Sequence, residues 1–290
     1  MSSLPHPKNC LLCGDVQAIV RLKQMDTSVF QCSQCGLVFI YPLPTAKELS
    51  ALYLGYDLDL GDKDFPSHLV SRKNWRLPVF QEILDELAQY KSQGRLLEIG
   101  CSFGFFLSMV KERGFDPYGV DLSLNAVRYA AQTLRLPVRH GTVFDAKFPE
   151  EFFDITVMLG VFEHLLDPLE TLGEVFRILR KEGVLIVEVP NANFNLLRGK
   201  ISPSLFYIGN HVLNFTPKAL NGMLERSGFR CVKIWCGKAD HPRGWLFNLV
   251  KSSYVNTTRL LNRTLGCYWA PSLIALAIKS GAEDGSPQRD

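Results

Sequence analysis

The sequence predicts a doubly wound α/β domain with a mostly parallel sheet, preceded by a small metal-binding module. Three observations carry this reading. Between residues 70 and 280, short apolar runs alternate with amphipathic stretches, the pattern of strands joined by crossover helices. The first such run, Arg95-Leu-Leu-Glu-Ile99, ends in the small-residue loop Gly100-Cys-Ser-Phe-Gly104. Ahead of it stand two Cys-x-x-Cys-Gly knuckles, Cys10-Leu-Leu-Cys13-Gly and Cys32-Ser-Gln-Cys35-Gly.

Residues 1–44 read as a two-hairpin module, with strands at Phe30-Gln-Cys32 and Leu37–Tyr41 and a rigid exit at Tyr41-Pro-Leu-Pro44. Residues 45–92 read as a helical linker and lid. Thr45 with Glu48 three residues on makes a capping box for a short helix to Leu54. Gly55–Pro66 is turn-rich and acidic, a candidate lid, and Val70–Tyr90 is an amphipathic helix.

The main domain occupies residues 93–280. A helix over Phe105–Arg113 follows the first strand, and the second strand, Tyr118-Gly-Val120, ends in Asp121. The third strand ends at His140, and Phe153–Leu159 is the fourth. A helix over Leu172–Lys181 has cations in its last turn and Gly183 after it. Val184–Val189 is the fifth strand, closed by Pro190-Asn191. Thr216 and Pro217 are the N-cap and first residue of another helix. Strands at Phe229–Trp235 and Ser272–Lys279 complete the sheet. An insertion at about 240–270 lies between them, with Trp245, Leu246, Phe247, Leu249 and Val250 beside Arg243, Arg259 and Arg263. It reads as a helix over the sheet edge, or as a surface making peripheral contact with a lipid-linked acceptor. Residues 281–290 form a polar, flexible tail.

Composition narrows the class. A 47% hydrophobic and 21% charged chain is that of an ordinary globular protein. A formal charge of +3 does not argue for nucleic acid, and no segment has the length of a membrane span. The N-terminus lacks the apolar core of a signal peptide, so a cytoplasmic location is expected.

The loop after the first strand sits where open α/β sheets bind ligands. Its small residues let backbone N–H groups approach a ligand closely. Asp121, at the tip of the second strand, is suited to accept hydrogen bonds from both hydroxyls of a ribose. A nucleoside-containing ligand is therefore expected. A dinucleotide fold calls for Gly-x-Gly-x-x-Gly to cradle a pyrophosphate, but Ser102 and Phe105 stand at the second and third of those glycine positions.

The knuckles fit a structural zinc site. Eighteen residues separate Cys13 from Cys32, inside the zinc-ribbon range. Four thiolates close a tetrahedral site and leave no open position for catalysis. Disulfides and a redox pair are the alternatives; a reducing cytoplasm weighs against the first and two matching knuckles against the second. Cys101, Cys231, Cys236 and Cys267 read as small buried hydrophobes.

The pattern Glu98-x-Gly100-x-Ser102-x-Gly104 followed by Asp121 resembles motif I and its ribose-binding partner in the class I S-adenosylmethionine (SAM) methyltransferases. The resemblance spans roughly residues 70–280 and includes Glu163-His164-Leu165 with Asp167-Pro168, a signature of the Glu-His-Leu subgroup. It implies a Rossmann-like, seven-stranded, mostly parallel sheet. It implies SAM contacts from Glu98, Gly100, Cys101, Ser102, Gly104, Asp121, Leu122, Phe144, Asp145 and Leu159, with Asp145 meeting the adenine amino group. Joined to a cysteine module, the domain is similar to methyltransferases of bacterial polysaccharide and sugar gene clusters. A second similarity is to ribosomal RNA guanine methyltransferases with an N-terminal zinc site.

The implied activity is methyl transfer to a small-molecule or glycan-type acceptor, at oxygen or carbon. A zinc-anchored RNA methyltransferase and a non-catalytic SAM-binding protein are the alternatives. Sugar C-methyltransferases carry Tyr two residues before the Glu-His pair, where this chain has Val161.

His164 is the first candidate for a general base, because it follows the fourth strand at the ligand-binding edge. Glu163 is placed to orient it, and His211 to face the acceptor from the opposite wall. The competing reading of His164 is a packing or capping residue. His140 reads as scaffold, and Asp154, at the far end of the fourth strand, as structural. His6, His68 and His241 carry no assigned role.

Overall fold

A computed structural model describes residues 9–23, 27–45, 47–49, 65–201, 211–237, 268 and 270–280. In chain order the strands are β1 (Ala18–Lys23), β2 (Ser28–Cys32), β3 (Val38–Tyr41), β4 (Arg95–Ile99), β5 (Asp116–Asp121), β6 (Val138–His140), β7 (Phe153–Leu159), β8 (Leu179–Pro190), β9 (Leu213–Asn214), β10 (Phe229–Cys236) and β11 (Ser272–Lys279). The helices are α1 (Phe65–Leu87), α2 (Phe105–Glu112), α3 (Leu124–Gln132), α4 (Pro168–Ile178), α5 (Ala192–Ile201) and α6 (Pro217–Arg226). Among the described residues, no helix is long and apolar enough to cross a membrane.

Seven strands form the main sheet in the order β10-β11-β8-β7-β4-β5-β6. Only β11 runs against its neighbours. The order reverses at β4, with β5 and β6 on one side and β7 and β8 on the other. That reversal opens a crevice at the carboxyl ends of β4 and β7.

The strands are apolar on both faces because both are covered. Leu96, Ile155, Val157 and Ile186 pack with Ile83, Leu87, Phe106 and Val110 of α1 and α2. Their neighbours Leu97, Met158 and Leu185 face the other way, with Leu172 and Val175 of α4 and Leu220 of α6. Local chemistry starts the helices. Ser123 Oγ accepts from Ala126 N at 3.1 Å, Asp167 Oδ1 from Glu170 N at 2.9 Å, and Thr216 Oγ1 from Ala219 N at 3.1 Å.

The cysteine module builds a second sheet, β1-β2-β3-β9. Its fourth strand comes from the main domain: Val38 pairs with Asn214 and Phe39 with Leu213. Leu12, Phe30 and Phe39 accordingly share one core with Phe162, Phe215 and Leu220.

Several elements differ from expectation. The helix expected to run to Lys181 ends at Ile178, and Arg180-Lys-Glu-Gly183 belongs to β8. Leu179 pairs with Phe153. The Arg180 guanidinium donates to Glu151 O at 3.1 Å and Asp154 Oδ1 at 2.8 Å, which draws the chain into the sheet. Glu182, at φ 57°, then carries the turn.

Helix α1 begins at Phe65, so Phe65 and Pro66 belong to a helix, not to a lid. β1 was not anticipated; it is an edge strand exposed along most of its length and shows no alternation. The Thr45–Glu48 capping box forms, with Thr45 N donating to Glu48 Oε2 at 2.7 Å and Glu48 N to Thr45 Oγ1 at 3.3 Å. Most of the helix expected from it, residues 55–64 of the lid, the 240–267 part of the insertion with Cys267, and the 281–290 tail lie outside the described residues.

Candidate active site and metal centre

The loop between β4 and α2 turns on three residues with positive φ, Gly100 (73°), Ser102 (46°) and Gly104 (75°). Gly100 must be glycine, since a Cβ there would lie 2.2 Å from Val161 Cγ2 in the loop after β7. Val120 O accepts from Gly100 N at 2.8 Å and Cys101 N at 3.1 Å, and Gly104 N returns to Cys101 O at 2.9 Å.

The Asp121 carboxylate joins two loops. Its Oδ2 accepts from Ser102 N at 2.7 Å and its Oδ1 from Ser123 N at 2.8 Å. His140 Nε2 lies 3.0 Å from Leu122 O, steadying the same turn, as a scaffold residue would.

Around this frame the other cofactor candidates take distinct positions. Leu122 and Phe144 expose 48% and 40% of their surface, and Leu159 is half-buried. The Asp145 carboxylate accepts from Thr142 N at 2.8 Å and Thr142 Oγ1 at 2.6 Å, and these bonds hold it below the usual carboxylate range. Cys101 offers backbone only: its thiol is buried against Gly119. Glu98 is buried at the end of β4, and its Oε2 has no hydrogen-bond partner among the described residues. Burial and then the Asp121 charge hold its carboxyl well above the usual range, with Arg76 opposing them.

Across the crevice, β7 runs into a 3-10 turn over Phe162–His164. The Phe162 ring stacks on Phe215 at 5.1 Å, anchoring the turn from below. Glu163, His164 and His211 converge, with ligand-type atoms within 4.8 Å of one another. The His164 and His211 rings meet edge to face at 4.8 Å. Glu163 Oε1 stands 4.0 Å from His164 Nε2, a charge-contact distance rather than a hydrogen bond. Burial pushes the Glu163 carboxyl up to about 8, with the Glu188 charge adding to it. Burial, then His164, pulls His211 down to about 4. Burial thus favours the uncharged forms of both His211 and Glu163 on this wall.

Two residues of this site carried no assignment from the sequence. Arg76 of α1 bonds Glu188 of β8 with both guanidinium nitrogens, Nη1 to Oε1 at 3.2 Å and Nη2 to Oε2. One cation thus faces Glu188, Glu163 and Glu98. The available signal was Glu188 itself, a charge inside the apolar run Leu185-Ile-Val-Glu-Val189.

The four knuckle cysteines meet at the far end of the second sheet. Cys10 Sγ lies 3.5 Å from Cys35 Sγ, and Cys13 Sγ 3.5 Å from Cys32 Sγ. These separations are far beyond a disulfide bond and close to the roughly 3.8 Å edge of a tetrahedron with metal–sulfur bonds of about 2.3 Å. The Cys35 hydrogen bond draws Cys10 down to about 5, and Leu12 N donates to Cys10 Sγ at 3.4 Å. The donor set suits a soft or borderline divalent ion. Asp154 proves structural, as expected, accepting from Arg95 N at 2.9 Å as well as from Arg180.

The profile of a family described as "Methyltransferase domain" matches residues 72–234, more than half of the 290-residue chain. A probable S-adenosylmethionine-dependent methyltransferase of Mycolicibacterium smegmatis is 28% identical over 150 residues, which cover 51% of this chain and 57% of that protein. Another, from Mycobacterium tuberculosis, is 24% identical over 216 residues, 74% of this chain and 76% of that one. The crystal structure of a SAM-dependent methyltransferase from Archaeoglobus fulgidus shares the fold, with a TM-score of 0.50 and 24% identity over 70% of this chain and 94% of its own.

The raised Glu163 carboxyl has a consequence for stability. Between about 4.5 and about 8 the folded chain keeps a proton on Glu163 that the unfolded chain releases. The stability tied to that proton is fully present below this window and is lost as pH rises through it. Glu163→Gln should therefore shrink the fall in urea midpoint between about pH 5 and about pH 8.5, relative to wild type. Equal falls in the two proteins would show that Glu163 is ionised in the folded state.

Proposed function

The chain belongs to the methyltransferase-domain family, and from that premise we propose that it moves the methyl group of SAM to an oxygen or carbon of a small-molecule or glycan-type acceptor. The two mycobacterial relatives it matches are named as probable SAM-dependent methyltransferases. The finer reading rests on one observation: Glu163, His164 and His211 converge directly across from the Gly100 loop, whose neighbour in space is Val161.

SAM, when bound, supplies an activated methyl carbon on a sulfonium. The cradle fits a ligand with an adenosine part. Asp121 stands at the tip of β5, where a carboxylate can meet ribose hydroxyls, Leu122, Phe144 and Leu159 offer apolar surface to a ring, and Asp145 is placed for an amino group. Glu98 has a buried acceptor atom for a donor on the amino-acid end.

On the other wall, His164 Nε2 takes the proton of the acceptor group as that group attacks in line. Glu163, protonated near neutrality, donates a hydrogen bond to an acceptor oxygen and leaves no extra negative charge beside the base. His211 stays neutral and packs the base into one orientation. The burial of this wall excludes water from an ionising nucleophile.

The ion in the cysteine cluster is, on this reading, a structural zinc held by Cys10, Cys13, Cys32 and Cys35, with no open position for chemistry. Free thiols held for a metal suit a reducing compartment, and the cytoplasm is the location this reading takes.

Four measurements test these assignments. Asp121→Ala should weaken S-adenosylhomocysteine binding at least about tenfold by calorimetry, since charge-assisted bonds are worth roughly 1.5–3 kcal/mol each; unchanged affinity would remove Asp121 from the cofactor site. His164→Ala should lower methyl transfer roughly 10²–10⁴-fold with cofactor affinity nearly unchanged. The wild-type rate should also fall as pH drops through the imidazole range. A variant that keeps its turnover per folded molecule means His164 only packs. Metal analysis of reduced, purified protein should find about one zinc per chain, and a metal-free protein that stays folded refutes the ribbon.

A further inference from the structure

The cysteine module and the acceptor wall are joined by a short series of backbone hydrogen bonds. The second knuckle is the turn between β2 and β3, closed by Cys32 N donating to Leu37 O at 2.9 Å and Gly36 N to Cys32 O at 3.1 Å. From β3, Ile40 N donates to Val212 O at 3.1 Å, and Val212 N donates to Glu163 O at 2.9 Å. Residue 212 is thus held on one side by the module and on the other by the turn that carries Glu163 and His164. His211, its neighbour in sequence, presents its ring to His164. On the far side of the segment, Phe215 O accepts from Ala192 N at 2.9 Å.

Helix α6 clamps the same connection. Lys218 Nζ donates to Gln34 O, inside the second knuckle, at 2.7 Å. The Arg226 guanidinium donates to Leu12 O, inside the first. Thr216, the N-cap of α6, sits over the second knuckle, where a Cβ on Gly36 would lie 3.1 Å from its Oγ1. These links from the module run to Val212 and α6. The cofactor frame of Gly100, Ser102 and Asp121 is held by a separate set of bonds among β4, β5 and α3.

We propose that the cysteine module is the positioning element of the acceptor wall, acting through Val212 as a positioning residue. The module holds segment 211–215 in register with β3, and Val212 transmits that register to Glu163 and His211. Loading the four cysteines therefore sets the acceptor-side geometry and leaves the SAM side unaffected. The inference rests on the assignment of Glu163, His164 and His211 to the acceptor side, and its primary test needs no acceptor.

Hydrogen exchange read by mass spectrometry on the full-length chain makes that test. Two perturbations are compared with metal-loaded wild type. One is metal removal with a chelator under reducing conditions. The other is Ile40→Pro, which deletes the N–H donated to Val212 and leaves all four cysteines in place. Both should speed exchange in residues 211–215 by about tenfold or more, with peptides over 95–104 and S-adenosylhomocysteine affinity within about twofold of wild type.

Ile40→Pro should still hold one equivalent of metal. It should lose methyl transfer through turnover, not through cofactor binding. Unchanged exchange at 211–215 in both perturbations overturns the proposal. So does equal loosening of 95–104, which would make the module a general staple. Failure of wild-type protein to bind S-adenosylhomocysteine would overturn the methyl-donor reading instead, and the exchange result would stand on its own.

Discussion

The site depends on how closely two loops approach each other. β4 and β7 are adjacent and parallel, and their following loops emerge at the same edge. The loop after β4 packs against the one after β7 with no room for a side chain at Gly100, because Val161 fills the space. That contact puts the glycine loop after β4 and the 3-10 turn after β7 side by side. Asp121 fixes the cradle from the neighbouring strand with two backbone hydrogen bonds, and Phe162 fixes the turn by stacking on Phe215. The backbone geometry of both loops is therefore set by short-range contacts.

Electrostatics adds a second layer. Three carboxyls, Glu98, Glu163 and Glu188, are buried at the carboxyl end of the sheet with Arg76 as their nearby guanidinium. Full ionisation of all three would leave uncompensated charge in a region of low dielectric. The cluster resolves this by giving the guanidinium to Glu188 and holding Glu98 and Glu163 above the carboxylate range.

What could be read from the sequence was local in origin. The cysteine spacing, the capping residues Thr45 and Thr216, the glycine turn and Asp121 at a strand tip each express chemistry within a few residues. The parallel sheet followed from repeated apolar runs, and β11 lies at the expected residues. Features made by distant partners stayed hidden. Arg180 leaves its expected helix because Asp154 and Glu151 draw it into β8. Arg76 finds Glu188 from a separate helix 112 positions away. β1 has no buried face to give it a period, and β9 is two residues long, too short to show one. Glu163 and His211 were candidates by their position in the chain, but the burial that shifts their titration is something no spacing reveals.

The borrowed strand has a consequence for how the chain is made. The sheet of the cysteine module has three strands from the first forty-one residues and a fourth, β9, that follows roughly 170 residues later. During synthesis the N-terminal end emerges first, yet its last edge stays open until most of the main domain has followed. The knuckles can close early, since their ligands and turns are local. The seam at β3 can close only when residues 212–214 arrive. The cysteine module is thus translated well before the strand that completes its sheet, and an exposed β3 edge is the surface a nascent chain would have to keep from pairing elsewhere.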